Sequence, residues 1–264
     1  PEDLKSHIEE ASLVAVCSPL NPTGTAFSKE GLTGICEIIL EENKRRAGVR
    51  KPVYLLYDQI YWQLTFGDTV HYNPVGLVPA MKDYTVFIDG MSKAFAATGV
   101  RIGWGFGPQK VMNKMKAIIS HLGAWSPKAE QIAAAAFLNK DEAVDTYLQG
   151  FRSRVEDRLN GFFKGFKTLK SLGYNVDAIS PQAAMYLTVK IDLRGMRTKE
   201  GTELTSMEDV TQYLLNEAKV ALVPFYAFGT ERNSPWYRLS IGTASISDID
   251  RFFENLQSAL SELS

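Results

Sequence analysis

The sequence predicts an α/β protein: a mostly parallel sheet with helices on both faces, followed by a smaller α+β domain. Three patterns carry this reading. The first half alternates short, continuous apolar runs with segments of helical spacing, as expected where strands are buried on both faces. A long amphipathic stretch, "EAVDTYLQGFRSRVEDRLNGFFKGFKTL" (142 to 169), suits a strut between two domains. Beyond it the apolar period shifts toward alternation, in "AAMYLTVKID" (183 to 192). The boundary therefore falls inside the long helix, giving expected domains 1–150 and 151–264.

The elements follow in order. The opening "PEDLKSHIEEASLVAVCSP" reads as a helix feeding a buried strand at 12 to 19, which "NPTGTAF" then breaks. Ser28 is the expected N-cap of a helix over 28 to 46, whose apolar residues recur at helical spacing. Strands are expected at 52 to 58, 84 to 90 and 101 to 107. From Pro108 to about Leu172 the pattern is helical, interrupted near "GAWSPK". Further on, Thr205 and Glu208 fit a capping box, "VALVP" and "WYRLSIG" read as strands, and a last helix starts near Ser245. The first half offers few strands for a doubly wound sheet. On that ground the sequence is expected to be a piece of a longer protein.

Composition narrows the function classes. The 264 residues are 45% hydrophobic and 22% charged, an ordinary globular balance that suits one large domain or two moderate ones. A formal net charge of −1 leaves no electrostatic footprint for nucleic acid or an anionic membrane. No apolar run approaches the roughly 20 residues that span a bilayer. The basic run "NKRRAGVRK" (43 to 51) reads as a solvated helix end. Cys17 and Cys36 read as small buried hydrophobes. With no signal-peptide pattern, they point to a reducing, cytoplasmic setting. His7, His71 and His121 stand far apart, without metal-ligand spacing.

In open α/β sheets, ligands gather at the carboxyl ends of the strands. After the first strand comes Asn21, after the second Asp58 and Tyr61, and after the third Ser92 and Lys93, with Arg101 beyond. Taken singly, each has an ordinary explanation as a turn, a cap, a core aromatic or a solvated charge. Together they form a set. An amine that makes Schiff bases needs a carbonyl partner, and a lysine beside an acid, a phenol and a phosphate-type arginine fits pyridoxal phosphate. On that chemistry Lys93 anchors the cofactor as a Schiff base and moves a proton between substrate Cα and cofactor C4′. Asp58 keeps the pyridine nitrogen protonated, and Tyr61 and Asn21 hydrogen-bond the ring phenolate oxygen. Arg101, with Ser92, binds the phosphate.

The set "NPTG", D-x-x-Y, S-K, a following arginine and G-W, in that order, resembles the fold-type I pyridoxal-phosphate enzymes of aminotransferase class I/II. "VALVPFYAFG" is similar to that family's V-P-G-x-x-F-G segment, and "YRLSIG" to the strand bearing its substrate-carboxylate arginine. The resemblance implies a large pyridoxal-phosphate-binding domain over 1–150 and a small domain over 151–264. It implies transfer of an amino group from an amino acid to a 2-oxo acid, a homodimer, and substrate binding by Arg238 and Asn21. A carbon–sulfur β-lyase of the same fold, a non-catalytic pyridoxal-phosphate-sensing module and an inactive fragment stand as alternatives. A dicarboxylate substrate would need a second cation, and no arginine is assigned to that task; Arg152 and Arg154 are expected to be exposed on the strut. The sequence departs from the family at Gln59, where Glu is common, and at Phe225 and Ala183, where Gly is common. It departs again at Gly90, where many members carry Ser or Thr, which shifts the expected phosphate contacts toward Ser92 and backbone amides. Family members also carry an N-terminal segment with a glycine-containing phosphate turn, a ring-stacking aromatic and part of the dimer interface. That segment is expected to precede the present sequence in the parent protein.

Overall fold

A computed structural model describes residues 1–264. The chain divides into two compact units, Pro1–Leu20 with Thr25–Phe151, and Asn21–Gly24 with Arg152–Ser264. The division thus falls within one long helix, Asp141–Ser171 (α6).

In the first unit, the strands β1 (Leu13–Cys17), β2 (Tyr54–Asp58), β3 (Thr85–Gly90) and β4 (Gly103–Phe106) lie side by side in that order. β1, β2 and β3 are parallel, in the register Cys17↔Asp58 and Asp58↔Ile88. β4 runs antiparallel to β3. It starts later than the apolar pattern suggests, because Thr98–Val100 form a 3₁₀ turn that ends on Arg101 at φ 59°. The first helix, α1, is a single turn (Glu2–Lys5), shorter than the helical reading of the opening residues.

Helix α2 (Lys29–Arg46) starts at Ser28, whose side chain accepts from the Gly31 N–H. It buries Leu32, Ile35, Cys36 and Ile39, one stripe at helical spacing, in a core with Leu55, Tyr57 and Phe87. Its C-terminal end departs from the expected solvated terminus: Arg46 is only 4% exposed. Its guanidinium pairs with Glu42 and donates to the carbonyls of Ile8, Glu9, Ala11 and Lys51. The two arginines Arg45 and Arg46 hold the Glu42 carboxyl down to about 2. After a one-turn helix, Pro74–Leu77 (α3), come α4 (Gln109–Leu122) and α5 (Lys128–Leu138), separated at the expected Gly/Pro break.

The second unit holds a wholly antiparallel sheet in the order β5-β6-β8-β7. These strands are β5 (Val176–Ala178), β6 (Tyr186–Ile191), β7 (Val223–Pro224) and β8 (Trp236–Ser240). β5 carries too short an apolar run to be seen in the sequence. Helix α7 (Met207–Asn216) uses the pair one position beyond the expected Thr205 and Glu208: Ser206 caps it and Asp209 closes the box. The last helix, α8 (Ile246–Ser261), starts at the expected place, with Ser245 as its N-cap.

The expected boundary placed Asn21–Gly24 with the first domain, whereas they cluster with the second unit. The cause is a set of hydrogen bonds to β6 and the turn before it. Ala183 N–H donates to Gly24 O, and Thr188 Oγ1 to Thr23 O. Gly24, at φ +70°, lies so close to β6 that a Cβ would sit 2.2 Å from Tyr186 O. Only glycine fits there.

Candidate active site

The first unit collects most of the chemistry-bearing residues at the carboxyl ends of β2 and β3. Asp58 is the last residue of β2, and its Oδ1 accepts from the Ile60 N–H at 3.0 Å, which starts a tight turn. The turn continues through Trp62 N–H to Gln59 O and Leu64 N–H to Tyr61 O, both 2.8 Å, and buries Tyr61 at 3% exposure. Past β3, Ser92 and Lys93 are half-buried in a turn closed by Ala96 N–H to Lys93 O. Arg101 is exposed, and its Nη1 donates to Thr98 O at 3.0 Å.

At Gly90, the position where the sequence is read as departing from a frequent Ser or Thr, the packing leaves little room for a side chain. A Cβ at Gly90 would come within 2.7 Å of Ile102 O and 2.9 Å of Gly103 Cα. β4 approaches too closely for any side chain there.

The second unit holds the other candidate pair. Arg238 sits on β8, flanked on both sides through the registers Thr188↔Arg238 and Val223↔Arg238. Its Nη1 donates to Asn21 Oδ1 at 2.9 Å, across 217 positions of sequence. The guanidinium carbon lies 4.9 Å from the Tyr186 ring centre and 5.1 Å from that of Phe228, within cation–π range. Its Nε is buried and has no hydrogen-bond partner. A buried guanidinium N–H left unsatisfied is costly, and a planar anion offering two oxygens would satisfy it. Phe225, where glycine is common in relatives of the motif, is buried with its ring edge-to-face to Phe228.

One buried acid went unnoticed in the sequence. Asp89, at 7% exposure, accepts from Trp62 Nε1 (2.8 Å), Gln59 Nε2 (3.3 Å) and its neighbour's N–H, Gly90 (2.7 Å). Burial pushes its carboxyl up, against the pull of those three donors, and the Asp58 charge adds to the rise. The pairing also accounts for Gln59 where glutamate is common, because a second carboxylate facing Asp89 would repel it.

The model of the family aminotransferase class I and II matches residues 1–256. The aspartate aminotransferase of Bacillus subtilis (strain 168) is 31% identical over 264 residues, covering 96% of this chain and 61% of its own. That of Geobacillus stearothermophilus is 32% identical over 265 residues, with 96% and 61% covered. Among solved structures, the aspartate aminotransferase from Rhizobium meliloti matches with a TM-score of 0.81 at 27% identity, covering 98% of this chain and 62% of that one. The aromatic aminotransferase from Pyrococcus horikoshii OT3 matches with a TM-score of 0.82 at 25% identity, covering 99% and 63%. The chain thus spans about three fifths of the length of the relatives it matches.

Proposed function

The chain belongs to the aminotransferase class I and II family, and from that premise we propose that it serves pyridoxal-phosphate-dependent transfer of an amino group from an amino acid to a 2-oxo acid. The observation that carries the reading is the donor set after β2 and β3: amine, carboxylate, buried phenol, hydroxyl and guanidinium on successive turns of one sheet edge. This set fits the cofactor group by group. Lys93 offers the amine for its aldehyde carbon, Asp58 the carboxylate for its ring nitrogen, and Tyr61 the phenol for its ring oxygen. Arg101 and Ser92 offer donors to its phosphate, and Asn21 is assigned to its ring oxygen and to the substrate.

Bound there, pyridoxal phosphate supplies an electron-withdrawing ring that stabilises negative charge at the substrate Cα. The protein residues do the rest. Lys93 Nζ would be the amine that holds the cofactor and, as a free amine, would carry the proton lost from substrate Cα. Asp58 favours the protonated ring nitrogen through charge. Arg238 presents its fork to the substrate α-carboxylate, oriented by Asn21, Tyr186 and Phe228. A cytoplasmic homodimer is part of the same proposal.

Borohydride treatment of the pyridoxal-phosphate-loaded protein, followed by peptide mapping, tests the assignment. Label should appear on Lys93 and be absent from Lys93→Ala. A single labelled site that persists in Lys93→Ala would overturn it. Screening amino donors with 2-oxoglutarate while assaying pyruvate and sulfide separates transfer from β-elimination.

A further inference from the structure

We propose that Asp89 is a positioning residue that ties the loop following Asp58, which bears Tyr61, to the end of β3, the strand that leads into Lys93. The proposal deepens the cofactor assignment above and rests on it. Its basis is the direction of three donors. Trp62 Nε1 and Gln59 Nε2 both aim at Asp89 Oδ2, and Gly90 N–H aims at Oδ1. Every group offered to this side chain is an N–H, so the position needs a side chain that only accepts. An amide of the same shape has one accepting oxygen and would set its own NH₂ against either Gly90 N–H or the Trp62–Gln59 pair.

Strand alternation shows how the tie works. The registers Tyr57↔Phe87 and Asp58↔Ile88 put Asp89 on the face shared by Tyr57 and Phe87, opposite to Asp58. The edge-to-face contact of the Tyr57 and Phe87 rings, 5.8 Å between centres, lies on that face. Asp89 therefore grips the loop from one side of the sheet while Asp58 projects from the other. Gln59 N–H to Ile88 O, at 3.0 Å, continues the parallel ladder one step into the loop. The side-chain bonds from Gln59 and Trp62 extend the hold past the point where the ladder ends. Loop and strand then move as one body, and with them Asp58, Tyr61 and the turn that carries Lys93. A buried carboxylate is a costly way to make such a joint. The three donors offset that cost, and their convergence on one acid is what ordinary core packing does not require.

The test measures hydrogen exchange of the peptide covering residues 58–64 and the Kd of pyridoxal phosphate, in the 264-residue chain and its Asp89→Asn, Trp62→Phe and doubly substituted forms. Asp89→Asn should speed exchange in the loop and weaken cofactor binding by about tenfold, the loss of one net buried hydrogen bond. Trp62→Phe should do the same to a smaller degree. Acting through one contact, the two substitutions should be non-additive, the double form resembling Asp89→Asn. Loop exchange and Kd both within about twofold of the parent chain in Asp89→Asn would overturn the proposal, as would additive effects in the double form. Should Asp89→Asn fail to fold, Trp62→Phe carries the measurement alone: faster exchange over 58–64 supports the tie, and unchanged exchange refutes it. Borohydride labelling of Lys93, read in parallel, keeps the two ideas apart. Absence of label in the parent chain refutes the cofactor reading, while loop exchange still reports on Asp89.

Discussion

Replacing Arg238 by lysine keeps the charge and removes the fork. In the structure Nη1 is committed to Asn21, and Nε is buried with no hydrogen-bond partner. An α-carboxylate bound to the fork would gain two parallel charge-assisted hydrogen bonds, where a lysine can offer a single point charge. Losing one such bond costs about 1.5–3 kcal/mol. Loss of the guanidinium face over Tyr186 and Phe228 adds roughly 0.5–1 kcal/mol of orientation. The sum, about 2–4 kcal/mol, corresponds to a fall of about 30- to 1000-fold in kcat/KM for amino donors. Phe228→Leu removes only one ring from the guanidinium and should lower kcat/KM by about two- to fivefold. The assay is steady-state transfer to 2-oxoglutarate. It is joined by ¹H–¹⁵N spectra in which the Arg238 Nε–H signal, sheltered by burial, shifts when 2-oxoglutarate is added. An Arg238→Lys protein within about threefold of the parent in kcat/KM would show that the α-carboxylate is held elsewhere.

Three further predictions concern what supports the site. Arg46→Met strips a buried guanidinium from Glu42 and from four backbone carbonyls, and should destabilise the first unit by about 3–5 kcal/mol in urea unfolding; a loss below about 1 kcal/mol would contradict the burial argument. His71 has both ring nitrogens buried without partners, and burial pushes its pKa down to about 4. Because the unfolded chain takes up this proton near pH 6.5 and the folded chain only near 4, stability should fall as pH drops through that window. His71→Phe should remove that slope, and an unchanged pH profile would rule His71 out as its source. Gly24→Ala should disrupt the packing of Asn21–Gly24 on β6, because its Cβ has no room beside Tyr186 O. Its signature is loss of the 2-oxoglutarate-induced shift at Arg238, and a retained shift would show that the segment tolerates a side chain.

What could be read from the sequence, and what could not, divides along the reach of the forces involved. The strand ends bearing Asp58 and Lys93 were legible because short apolar runs and the turns that stop them are local patterns. The cap at Ser28 and the start of the last helix near Ser245 were legible for the same reason. The direction of β4 was not, since an apolar run carries no sign of whether its partner runs with it or against it. Arg46 looked like one more basic residue at a helix end, because its acceptors, the carbonyls of Ile8, Glu9 and Ala11, lie some 35 positions away or more. Asn21 was read with the strand before it, yet its bond to Arg238 and the contacts of Thr23 and Gly24 hold it to β6 and β8. Asp89 is the sharpest instance. In the sequence it is an acid at the end of a strand, where acids commonly cap turns. Its role appears only when Gln59 and Trp62 point at it, and nothing in the D-x-x-Y motif around Gln59 says where that side chain points. The residues proposed to touch the cofactor share a chemical vocabulary that survives in one dimension. The residues that hold them steady have none, because what makes an acid a support is the convergence of donors that only the fold brings to it.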